Sequence, residues 1–191
     1  MMMKTLVAAA ALAAAGLAQA EAATYAIDPT HTFVTFEAKH FNTSTLRGRF
    51  DKKEGTVAFD KAAKTGRAEV SFDMTSVSTG VPALDTHLKS KDFFNVAEAP
   101  TAKFVGDKFS FDGAGKVTTV AGTLTMNGKT QPVTLTAANF NCYENPMLKR
   151  EVCGGDFETT IQRSQWNVSY GLQYGLPDNI RLLIQIEAVK Q

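Results

Sequence analysis

The feature that most constrains this 191-residue chain is a period-two alternation of apolar and polar side chains, broken at short intervals by turn signals. Successive side chains of a strand point to opposite faces, so such alternation marks a strand with one buried side. Val34, Phe36, Ala38 and His40 alternate with Thr35, Glu37 and Lys39, and Ala68, Val70, Phe72 and Met74 alternate with Arg67, Glu69, Ser71 and Asp73. Leu182, Ile184, Ile186 and Ala188 close the chain in the same way, opposite Arg181, Gln185 and Glu187. Turns are signalled at Asp60 to Gly66, at Asp112-Gly113-Ala114-Gly115 and at Asn127-Gly128. Asn-Gly supplies the two positive-φ residues of a type I′ hairpin, which predicts pairing of Gly122–Met126 with Pro132–Thr136.

One segment breaks the pattern. Val81 to Asn95 reads as a short helix with Pro82 in its first turn, Thr79 as its cap, and Leu84 and Leu88 on one face. Asp92-Phe93-Phe94 then brings two aromatic rings beside that face. Antiparallel strands with one apolar side each must hide their edges, and closure does so. The expected fold is all-β, an antiparallel barrel of about eight strands with one short helical insertion near residues 81–95 covering one end. The inward positions are Phe36, Ala38, Val70, Phe72 and Met74, then Leu124, Met126, Leu135, Ile184 and Ile186, with Phe104 and Trp166 added to the same set. An eight-stranded barrel is either filled by such side chains or holds one small ligand. Alternation leaves both open.

The N-terminus predicts export. Met1-Met2-Met3-Lys4 is a short positive start, Leu6–Leu17 is an apolar run too short to span a bilayer, and Ala18-Gln19-Ala20 has the small–x–small pattern of a cleavage site. Residues 1–20 are thus expected to be a cleaved signal peptide, with a second cut after Ala22 as the alternative, leaving one domain over 21–191. The chain has 20 Lys+Arg and 19 Asp+Glu, so removing Lys4 balances them, 19 against 19. Without a basic cluster, nothing points to nucleic acid. Cys142 and Cys153 stand alone in the exported part and read as one disulfide closing a loop in an oxidising compartment. Pro146 and the lack of alternation suggest that the residues between them are loop.

Reactive constellations are missing. There is no GxSxG elbow, HExxH, Walker loop or GxGxxG. His31, His40 and His87 share no spacing that places two of them on one face, so no metal site is expected. Asp85 and His87 are two apart and would not face each other on a helix. His87 is assigned to hydrogen bonding, to neighbouring backbone or to a ligand's polar end. The chain is not expected to be an enzyme.

Several segments resemble one family. Tyr25-Ala-Ile-Asp28-Pro29-Thr30-His31-Thr32 opens a Phe/Val strand and is followed by Leu46-Arg-Gly48-Arg-Phe50. Ser78-Thr79-Gly80 leads to Asp85-Thr-His87-Leu88-Lys-Ser90-Lys-Asp92-Phe93-Phe94, with Pro100 and Phe104 beyond. Gly122–Leu135 and Arg163-Ser164 complete the series, which is similar to the YceI-like family across the whole mature chain. The resemblance implies an elongated lipocalin-like barrel, exported to the periplasm, that binds, transports or stores a polyisoprenoid or similar long-chain lipid in its lumen. The alternative is an accessory that carries a quinone-like lipid for a membrane redox system. Asp85, His87, Phe93 and Phe94 would then organise the barrel mouth. No cofactor is implied beyond the lipid, and partners would be a transient inner-membrane protein at most, the chain acting as monomer or homodimer. One departure stands out: Leu84 occupies the place where the family commonly has Arg.

Overall fold

The computed structural model describes residues 22–191; the expected signal peptide lies outside the described residues. Eleven strands and one α-helix follow in the order β1 (Ala23–Ile27), β2 (Phe33–His40), β3 (Ser44–Phe50), β4 (Lys53–Asp60), β5 (Thr65–Asp73), β6 (Val77–Ser78), α1 (Pro82–Lys89), β7 (Thr101–Phe111), β8 (Val117–Met126), β9 (Lys129–Asn145), β10 (Arg150–Gln162) and β11 (Asn179–Lys190). All strands belong to one antiparallel sheet, and β11 closes it by pairing with β10 on one side and with both β1 and β2 on the other.

Eleven strands make eight staves. β1 and β2 lie end to end along β11, at Ala188–Lys190 and Arg181–Gln185 respectively. β4 pairs with β1 while β3 pairs with β2, and β5 pairs with β4 while β6 pairs with β3. Three neighbouring staves are therefore each interrupted once, and with β7 to β11 they form an eight-stranded up-and-down barrel, as the alternation predicts.

The interruptions have a local cause. Asp28 Oδ1 accepts from the Thr30 N–H at 2.8 Å, and Asp73 Oδ1 accepts from the Thr75 N–H at 2.9 Å. An Asp side chain that takes a backbone donor two residues on turns the chain out of the ladder. The breaks are tied together, because the Lys52 N–H donates to Ser76 Oγ and the Asp51 N–H to the Ser76 carbonyl. Gly48 is required by packing: a Cβ there would overlap the Phe36 ring.

The Asn127-Gly128 turn has φ of 45° and 73° and joins Met126 to Lys129, the expected type I′ hairpin. The helix falls within the expected segment, but its cap differs. Val81 is the N-cap residue and makes no side-chain cap bond; Thr79 instead donates its N–H and hydroxyl to Asp85 Oδ1, each at 2.7 Å. The residues between the cysteines are also not a loop. β9 runs to Asn145 and β10 resumes at Arg150, so only four residues turn, and Cys142 and Cys153 face each other as register partners joined by a disulfide. Alternation fails there because the positions that share the cysteines' side of the sheet next along each strand are the charged pair Glu144 and Glu151.

Candidate functional site

The barrel encloses a cavity of about 500 Å³ along its axis. β11 alone has 12 residues, ~40 Å of strand, and at a tilt of roughly 40° this gives a barrel about 30 Å high. Protein interiors seldom leave voids larger than a water molecule. At about 24 cal/mol per Å³, a dry void of this size would cost on the order of 12 kcal/mol, as much as the whole stability of an ordinary domain. The sequence pattern left a filled core and a cavity open; the structure has the cavity.

Most expected inward residues line this cavity. Phe36 and Ala38 reach it from β2, Val70 and Phe72 from β5, with Met74 just beyond, and Phe104 from β7. Leu124, Met126, Leu135, Ile184 and Ile186 complete the expected wall. Trp166 does not reach the cavity. It follows β10 in a short 3-10 turn, is 1% exposed, and donates its indole N–H to the Leu124 carbonyl at 2.9 Å.

The two ends differ. At the end where Thr24 meets Gln191, Phe59 is packed by Tyr25, Phe109, Phe111 and Phe140, with ring centroids 5.8–6.4 Å away. The Tyr25 hydroxyl donates to Glu151 Oε1 at 2.5 Å, and Lys61 reaches the other carboxylate oxygen. Burial and this bond to a carboxylate push the Tyr25 phenol above its ordinary range. These five rings come from β1, β4, β7 and β9, so no single stretch of sequence announces the cluster.

The opposite end is the mouth, where α1 and the segment after it sit. Phe94 packs against Phe36 and Phe50, with centroids 6.4 and 5.6 Å away. His87, Phe93 and Tyr170 form a triangle with sides of 5.0, 5.0 and 5.2 Å. His87 Nε2 lies 3.4 Å from Asp92 Oδ2, so its partner is a side chain and not the backbone. Phe93, Phe94 and His87 line the lumen; Asp85 does not, since Thr79 occupies one of its oxygens. Leu84 also lines the lumen, so the position where the family commonly has Arg is apolar here.

Arg163 is a lining residue that periodicity could not find. It is 7% exposed, and it donates from Nε to the Pro177 carbonyl and from Nη1 to the Val168 carbonyl, both at 2.8 Å. Its guanidinium stands 6.0 Å over the Phe93 ring. Burial draws its pKa below the ordinary value, and the charge of Asp178 partly offsets this.

A closed eight-stave barrel around a continuous apolar lumen, open at one polar-rimmed end, is the architecture of a lipocalin-like binding protein. The chain belongs to the YceI-like family, whose domain it matches over residues 25–188. It is 34% identical to a UPF0312 protein of Pseudomonas aeruginosa, with all of each chain covered. Among solved structures it resembles Burkholderia cenocepacia BcnA, with 25% identity and a TM-score of 0.70, covering 84% of this chain and 98% of that one. It shares its fold with a polyisoprenoid binding domain from Saccharophagus degradans, at 14% identity and a TM-score of 0.63, covering 90% of this chain and all of that one.

Proposed function

We propose that this protein is exported to the periplasm and there carries or stores a long-chain lipid, a polyisoprenoid or a close relative, in its lumen without acting on it chemically. The observation that carries the reading is the apolar cavity of about 500 Å³, within the range of small-molecule sites. Each buried methylene contributes about 0.8 kcal/mol, so ten ligand carbons give a gross gain of roughly 8 kcal/mol before ordering costs reduce it. Phe is common on the wall and Met74 and Met126 join it, and flat rings and flexible thioethers suit an irregular chain. The polyisoprenoid binding domain of S. degradans has the same fold, which agrees with this reading. The disulfide fits an oxidising compartment.

The test is to purify the protein from its native exporting cells and weigh what it carries. Native mass spectrometry should show a stoichiometric lipid, and the denatured chain should begin at Glu21 or Ala23. A soluble protein that retains residues 1–20 would overturn the export claim, and a lipid-free protein that takes up no prenyl chain would overturn the carrier claim.

A further inference from the structure

We propose that the helix-bearing mouth binds an anionic head group, a phosphate or carboxylate on the end of the lipid, and that Arg163 is its anchor. The inference rests on the lumen reading and names the class of ligand that the lumen takes.

Three observations carry it. Arg163 is more than nine-tenths buried, yet its bonds go from Nε and Nη1 to two neutral carbonyls, and Nη2 donates to no protein atom among the described residues. No buried side-chain nitrogen there is both unpartnered and sealed from small molecules, so Nη2 is open to an incoming group. Second, Arg163 has no ion-pair partner within 4.0 Å among the described residues; the nearby Asp178 spends its two carboxylate oxygens on the Ser164 N–H and hydroxyl, each at 2.8 Å. Third, no Asp or Glu lines the lumen among the described residues, while Lys39, His40, His87 and Arg163 all do, at or near the mouth. Asp92, beside His87, does not line the lumen.

A buried cation without a carboxylate is costly unless something completes it. The guanidinium is a planar fork that matches the paired oxygens of a carboxylate or phosphate. With Nε and Nη1 held by carbonyls, the orientation of Arg163 is fixed before the ligand arrives, so little is lost in ordering it. A chain threaded into the lumen tail first would leave its head beside Nη2, with Lys39, His40 and His87 around it.

The experiment compares chains that differ only at the head: farnesyl phosphate against farnesol, and palmitate against hexadecanol, titrated by calorimetry into delipidated protein. In at least one pair the anion should bind about tenfold tighter or more, the worth of a charge-assisted hydrogen bond. Preference in both pairs would mean a site for either oxyanion, and preference in one pair would name which. Arg163→Gln should erase the ratio between anion and alcohol, and Arg163→Lys should retain part of it. Because Arg163 also braces Val168 and Pro177, a measurement on the unaltered protein stands beside the variants: the Arg163 Nε–Hε resonance of ¹⁵N-labelled protein should move with farnesyl phosphate and stay with farnesol. Equal affinities within both pairs, or an unmoved resonance, would overturn the assignment while leaving the carrier intact. Failure of all four probes to bind would count against the lumen reading itself.

Discussion

Replacing Val70 by Trp places an indole where the structure has ligand space. Val70 is 5% exposed, lies on β5 between Gly55 and Phe104, and lines the cavity. The indole has about seven more heavy atoms than the isopropyl group, so it displaces on the order of five ligand carbons, roughly 4 kcal/mol of burial. That is close to a thousandfold in Kd. Stability should move the other way. Added bulk in a filled core costs about 1–3 kcal/mol, whereas the same bulk in a cavity restores contacts across a gap. For a chain of this size 1 kcal/mol is about 2–4 °C, so a filled barrel would melt some 2–12 °C lower. The delipidated variant should melt at or above the wild type, followed by circular dichroism, while its uptake of farnesol falls below detection. A clear drop in melting temperature with unchanged lipid binding would refute the cavity argument at this position.

Other substitutions test other parts. Cys142→Ser with Cys153→Ser should lower stability by about 3 kcal/mol, the loop-closure value for an 11-residue separation, measured by chemical denaturation. A thiol reagent should label the denatured wild type only after reduction. Trp166→Phe leaves the Leu124 carbonyl without its donor and should cost about 1–3 kcal/mol without changing farnesol affinity. Asp28 faces a desolvation cost, but bonds from His31 and Thr30 outweigh it and hold its pKa at about 2, while the bond to Asp28 raises that of His31. The lowered Asp28 stabilises the fold above its ordinary value of 3.8, and that share is lost as pH falls toward 2. The raised His31 stabilises below its ordinary 6.5, and that share is lost as pH rises through its folded value. The pair therefore contributes most between about pH 4 and 6.5. In Asp28→Asn, an NMR titration should show His31 returning to its ordinary pKa, and an unchanged curve would disprove the pairing.

Some of this was legible in the sequence, for physical reasons. β5 and β11 divide cleanly between lumen and solvent, and β2 does so as far as Ala38, so their alternation names the wall. β3 hides its inward side because Gly48 has no side chain and Phe36 fills its place. The ring cluster of Phe59, Phe109 and Phe140 is assembled from three separate strands and has no local signature. Strand parity puts Trp166 on the wall, but parity has no meaning beyond Gln162, where the chain enters a 3-10 turn. Arg163 could be flagged by family resemblance, but its chemistry could not. A lone Arg in a sequence reads as surface, and only the fold shows it buried with carbonyls for partners.

The ring cluster at the closed end also makes the lumen a length gauge. On the carrier reading, a chain that entered through the mouth would meet Phe59 and its packed neighbours and stop there. Up to that stop, each added carbon deepens the well by about 0.8 kcal/mol and slows escape about fourfold, since withdrawing the tail returns it to water one unit at a time. Past the stop, further carbons hang in solvent and add nothing. Residence time should therefore climb steeply with chain length and then level off, and the break in that curve measures the depth of the barrel in solution.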